Sequence, residues 1–245
     1  MLQSDSPIPL YHQLKQLLIA QIEAGRWAQG DCMPGDQNLQ RFFGVSRTTV
    51  RQAMRELELA GLITRHRGRG TFVAPPKLSH GPDAPHRLSH TLRARGISAG
   101  WVLLEMASLP ASRSVAGALG LDEGSFVLRT SRLRLAGEQP IGHLVAHANT
   151  SPELVAREDL LRGDSFHYLA PTGLLPGARA ERVLEAVVSD ADEGALLGIE
   201  TGAPLLRVRR VLFGADGAPL EHFVGSYRGD RFQYLTSGNL PSSHD

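Results

Sequence analysis

A single cysteine, Cys32, stands in the 245 residues. An intramolecular disulfide is thereby excluded, as are the paired cysteines of a CxxC redox or zinc site, and a reducing compartment follows as the expectation. Lysine is nearly absent as well, Lys15 and Lys77 being the whole supply. No stretch approaches the ~20 apolar residues of a membrane span, and MLQSDSPIPLYHQLKQ lacks the basic patch and apolar core of an export signal. Glycine-rich phosphate loops, nucleophile elbows and HExxH motifs are also missing. These absences lead us to expect a soluble, cytoplasmic protein with no membrane partner, no cofactor and no resident metal, and not an enzyme.

Net charge is scarce overall and concentrated locally. The formal total is +1, yet residues 1–76 hold nine Lys/Arg against six Asp/Glu, while the remainder holds 17 against 19. Residues 41–70 alone carry seven arginines and two glutamates. A local basic footprint of this kind points to a polyanion, whereas the near-neutral whole weighs against sequence-blind packaging of DNA.

Apolar spacing divides the chain. Tyr11, Leu14, Leu18 and Ile22 recur at three or four residues and predict a helix stopped by Gly25. A second short helix begins near Asp36, with Leu39, Phe42 and Phe43 as its apolar side, and Gly44 turns the chain. Ser46 is placed as the N-cap of a third helix and Gly61 as its left-handed terminator. Within it Val50, Ala53, Met54 and Leu57 form a buried stripe, and Arg47, Arg51 and Arg55 form a separate ridge. Leu62–Thr64 and Thr71–Val73 then read as a hairpin with a basic, glycine-bearing tip. PPKLSHGPDAP reads as a linker, which divides the chain into domains 1–75 and 87–240 joined by residues 76–86.

Beyond the linker lies an internal repeat. GSFVLRTSRLRLAGEQPIGHLV (124–145) aligns with GAPLLRVRRVLFGADGAPLEHFV (202–224), setting Arg132 on Arg210, Pro140 on Pro219 and His143 on His222. Each copy reads as strand, short helix, strand, turn, strand, so two similar halves sharing one antiparallel sheet are expected.

Three helices and a hairpin, with arginines at the start of the third helix, have the layout of a winged helix-turn-helix. Such a helix enters the major groove, where Arg47, Thr48, Thr49 and Arg51 would meet base edges, while Arg67, Gly68 and Arg69 of the tip would hold the backbone or minor groove. An arginine ridge alone is as well explained by a solvated face paired with Glu56 or Glu58. The cap, the turn and the second basic group together favour docking on DNA.

MPGDQNLQRFFGVSRTTVRQAMRELELAGLITRHRGRGTFVA resembles the winged-helix domain of the GntR family of bacterial transcription regulators. The C-terminal part is similar to the UTRA effector-sensing domain of its HutC-type branch, through SRLRLAGEQP, EGALLGIETGAPLLRVRRVLFGADGAPLE and SYRGDRFQYL. The resemblance implies an α+β chain: a winged helix-turn-helix followed by a chorismate-lyase-like antiparallel-sheet domain. It also implies a homodimer on a near-palindromic double-stranded DNA operator, acting as a repressor released by a small anionic effector. A phosphorylated sugar, a phosphonate or a carboxylate catabolite would suit. The DNA contacts it implies are Arg47, Thr48, Thr49, Arg51, Arg67 and Gly68. Where the family writes L-P-[SAT]-E-R this chain has Met33-Pro34-Gly35-Asp36-Gln37, so Gln37 is an uncharged DNA-contact candidate and puts the family's common operator in question for this chain.

For the sensor, Arg132 and Arg134 sit two apart on a strand and share a face. That spacing fits a fork for phosphate or carboxylate, and equally a solvated face with cross-strand acids. The UTRA resemblance favours the fork. It adds Leu88, Ser89 and His90 at the domain's first helix, with Ser165, Glu221 and Tyr227 lining the pocket. An acid common after the first turn is replaced by Leu144, which weighs against an amino-sugar effector. His86 with His90, and His143 with His147, have a spacing compatible with a metal pair but lack cysteine or carboxylate companions. The competing class is an enzyme acting on a small anionic metabolite with an accessory DNA-binding head.

Overall fold

The computed structural model describes residues 2–3, 5–66, 68–80, 87–163 and 168–236. Two compact units are present, one built on the residues up to Lys77 and the other on Leu78–Arg228. Among the described residues no helix is long and apolar enough to cross a membrane.

The first unit contains α1 (Leu10–Glu23), β1 (Cys32–Met33), α2 (Asp36–Phe43), α3 (Arg47–Leu59), β2 (Ile63–His66) and β3 (Gly70–Val73). Its core is the convergence of the expected stripes: Leu14 and Leu18 from α1, Leu39 from α2, and Val50, Ala53, Met54 and Leu57 from α3, closed by Ile63 and Val73. Both ends of α3 are set locally. Ser46 Oγ accepts the Thr49 N–H at 3.1 Å. At the other end Gly61 adopts φ +74°. The N–H groups of Gly61 and Leu62 return to the carbonyls of Glu58 and Leu57, the Schellman arrangement that a side chain at Gly61 would strain. One expectation is corrected: Phe42 is 69% exposed and lies edge-on to Phe43, because a helix as short as α2 buries only Leu39 fully.

The second unit contains β4 (Leu78–His80), α4 (Arg87–Ala94), β5 (Ala99–Pro110), α5 (Arg113–Leu119), β6 (Phe126–Ala136), β7 (Gln139–Ala148), α6 (Arg157–Arg162), β8 (Arg179–Val188), α7 (Ala191–Leu197), β9 (Pro204–Phe213), β10 (Pro219–Arg228) and β11 (Phe232–Tyr234). Six strands form one antiparallel sheet in the order β5-β6-β7-β10-β9-β8. Strand, helix, strand, turn, strand occurs twice, as the repeat requires, and the copies meet at β7 and β10. Each short helix is capped alike, by Ser112 and Asp190 at the start and by Gly120 and Gly198 in the left-handed region at the end. The stretch read as a linker is partly structured: β4 pairs in parallel with β11, a long-range partnership that proline content alone conceals. Residues 81–86, His86 among them, lie outside the described residues.

Candidate functional site

The basic ridge of α3 stands free. Arg47, Thr48 and Arg51 are exposed at its N-terminal end, and Arg55 continues the row. The acids that would neutralise a merely solvated face are engaged elsewhere. Glu56 pairs with Lys15 of α1 at 2.6 Å and accepts from Gln52, and the hydrogen bond from Lys15 chiefly holds its carboxyl below the usual range. Glu58 and Asp36 both face Arg65, at 3.9 and 3.2 Å. No carboxylate among the described residues pairs with Arg47, Arg51 or Arg55. Thr49 is half-buried and its hydroxyl lies 2.9 Å from Ser46 Oγ, so it serves the cap. Gln37 is exposed on the first turn of α2.

Across the hairpin Arg65 opposes Thr71 and His66 opposes Gly70. Gly68 and Gly70 take φ +76° and +118°, which closes the tip and leaves Arg69 exposed. Arg67, also expected in this wing, lies outside the described residues.

In the sensor, register puts Trp101, Arg134, Gly142 and Tyr227 in one row across four strands. Leu103, Arg132, Leu144 and Gly225 form the next row on the same face. The two arginines therefore share one face, and both are buried: Arg132 is 1% exposed and Arg134 2%. Trp101 serves both guanidinium groups, whose carbons lie 4.6 Å (Arg132) and 4.5 Å (Arg134) from its ring centroid, with Tyr168 5.1 Å from that of Arg132. Arg132 donates to the carbonyls of Leu160 and Gly163 at 3.0 and 2.8 Å, and its Nε has no partner among the described residues. Arg134 donates to Ser89 Oγ at 2.6 Å, which brings the first turn of α4 to the fork.

No carboxylate among the described residues pairs with Arg132. An uncompensated buried guanidinium costs several kcal/mol, and a bound anion would remove that cost. Leu88 is buried in the adjoining core and His90 is exposed. Tyr227 stacks on Phe232 at 4.1 Å and lies over Gly142, where a Cβ would fall 2.7 Å from the ring. Glu221 is fully buried, with one oxygen accepting from Tyr168 and the other paired with Arg210. Ser165 lies outside the described residues. Trp101, Tyr168 and the two carbonyls escape sequence reasoning, because they reach the fork through strand register and a crossing segment.

His143 and His147 project from the opposite face. His143 bonds Ser131 at 2.9 Å, and His147 stacks on His222 with centroids 6.3 Å apart. Burial lowers the affinity of all three imidazoles for a proton. No group of three or more His, Cys, Asp or Glu side chains placed to hold a metal ion occurs among the described residues.

Comparison with known proteins finds relatives for both parts of the chain. Residues 94–233 match the family described as UTRA domain, and residues 10–73 match bacterial regulatory proteins, gntR family. The chain is 30% identical over 230 residues to the HTH-type transcriptional repressor NagR of Bacillus subtilis, covering 94% of this chain and 95% of that one. It is 32% identical over 206 residues to the histidine utilization repressor of Pseudomonas aeruginosa, with 83% and 81% covered. The crystal structure of PhnF from Mycobacterium smegmatis superposes with a TM-score of 0.61 at 29% identity, covering 94% of this chain and 99% of that one. This chain belongs to the gntR family of bacterial regulatory proteins, with a C-terminal UTRA domain, and is a DNA-binding transcriptional regulator.

Proposed function

We propose that the protein is a repressor that binds a near-palindromic operator as a homodimer and is released by a small anionic metabolite. Arg47, Thr48 and Arg51 read bases, Gln37 adds an uncharged contact, and Arg69 of the wing holds the backbone. Two half-sites about 34 Å apart would match a dimer of such heads. The effector's anionic group sits between Arg132, Arg134 and Ser89 in the first turn of α4. Leu144 faces the same side, so the rest of the effector meets an apolar neighbour instead of the acid an amino sugar would use. Relatives named as repressors support the direction of control.

The observation that carries the sensing half is the buried Arg132 without a carboxylate partner among the described residues. A thermal-shift screen of anionic metabolites identifies the ligand, and operator affinity is then measured with and without it. Coupling of ~1–3 kcal/mol would change affinity ~5–150-fold. R132A/R134A should keep operator binding and lose the response. An undiminished response in that variant would remove the fork.

A further inference from the structure

The repeat has an axis that register locates. Across β7 and β10, His147 faces His222, Val145 faces Val224 and His143 faces Ser226. The alignment that sets His143 on His222 also sets Val145 on Val224, so these two valines are both equivalent and paired, and the internal twofold passes between them. Every position on the fork's face then has a counterpart. Arg132, in register with Leu144, corresponds to Arg210, in register with Phe223. Arg134, flanked by Trp101 and Gly142, corresponds to Leu212, flanked by Ala180 and Glu221.

The two halves have diverged in one chemical respect. In the first, Arg134 lies in register with Gly142, which has no side chain. In the second, a single arginine remains and a carboxylate stands at the glycine's position. Glu221 is fully buried and paired with Arg210, whose side chain is 10% exposed and whose guanidinium lies 4.7 Å from the Phe223 ring. Tyr168 joins the halves, donating to Glu221 while its ring lies 5.1 Å from the Arg132 guanidinium.

We propose that Glu221 is a tethered anion: it fills, on Arg210, the twofold counterpart of the effector's anion site, so that the second half is a carboxylate site occupied from within. Its ligand class is a small monocarboxylate, the chemistry its own side chain supplies. Glu221 is accordingly a positioning residue that neutralises Arg210 and orients Tyr168 against Arg132. The assignment takes the Arg132/Arg134 fork as its template and no more, and it can be tested without using the fork.

Glu221→Ala in the full chain removes the tethered carboxylate and leaves room for formate. Melting is followed in sodium formate against sodium chloride of equal ionic strength, for wild type, E221A and E221A/R210A. At about a hundred times its dissociation constant, formate should raise the Tm of E221A by roughly 5–10 °C and leave the other two where chloride leaves them. If E221A shows no cooperative transition in chloride, formate present during refolding should restore one. A formate response in E221A no larger than in wild type, one of equal size in the double variant, or failure to refold at saturating formate would overturn the proposal. E221A/R132A/R134A separates the two readings: rescue there with a lost effector response upholds both, while rescue with an intact response in R132A/R134A sinks the fork alone.

Discussion

Replacing Arg51 with alanine tests the reading of α3 most directly, because the fold predicts a clean separation of stability from affinity. Arg51 is exposed and pairs with no carboxylate among the described residues, so its removal should change folding stability by less than about 0.5 kcal/mol. Arg65 supplies the contrast. It holds Asp36 and Glu58 at 3.2 and 3.9 Å with its side chain 34% exposed. After allowance for solvent screening those contacts together contribute about 0.5–1 kcal/mol. On DNA the order inverts. A bidentate arginine–guanine contact is worth about 1–3 kcal/mol, so R51A should weaken operator binding ~5–150-fold, with the loss concentrated at one base pair. R65A should lower the Tm by no more than about 4 °C and leave base preference intact. Fluorescence anisotropy against a panel of single-substitution operators, at two salt concentrations, reads the first effect, and melting reads the second. If R51A weakens every operator equally and only flattens the salt dependence, Arg51 holds a phosphate and the assignment to base readout is wrong.

Two further outcomes follow from the sensor. Gly142→Ala places a Cβ 2.7 Å from the Tyr227 ring, so the ring must leave its seat beside Arg134; effector affinity should fall at least tenfold, about 1.4 kcal/mol, while operator binding persists. Wild-type affinity in G142A would show that Tyr227 has no part in the pocket. Burial depresses the proton affinity of His143, His147 and His222, His222 adding to the effect on His147, so the unfolded chain binds protons more readily. Their contribution to stability is complete above the unfolded value near 6.5 and is lost as pH falls below it. Urea midpoints between about pH 7 and pH 5 should fall for wild type and fall less for H147Q/H222Q, and parallel slopes would contradict the account.

What was legible in the sequence was what local chemistry determines. Ser46 caps α3 with its own hydroxyl, Gly61 ends it with its own backbone, and the buried stripe between them needs only helical spacing. The duplicated sensor was legible for a different reason, since repeated residues force a repeated topology. Partnerships that depend on register were not legible. Trp101 reaches both arginines because β5 pairs with β6 up to a bulge between Leu103 and Glu105, a feature no periodicity announces. Glu221 belongs to Arg210 because β9 and β10 are adjacent, and the linker hides a strand because its partner is more than 150 positions away, at Phe232–Tyr234. The resemblance supplied candidate residues for the pocket, but it could not say which of them already had partners.

The internal twofold also bears on the shape of a titration curve. Two identical halves would offer each chain two equal anion sites, and occupancy of one could favour the other within a single polypeptide. With Glu221 seated on Arg210 as proposed, each chain is left a single class of anion site. A one-site chain titrates hyperbolically. Any sigmoidal response to effector must then arise between chains, and dilution to the point where chains separate should abolish it.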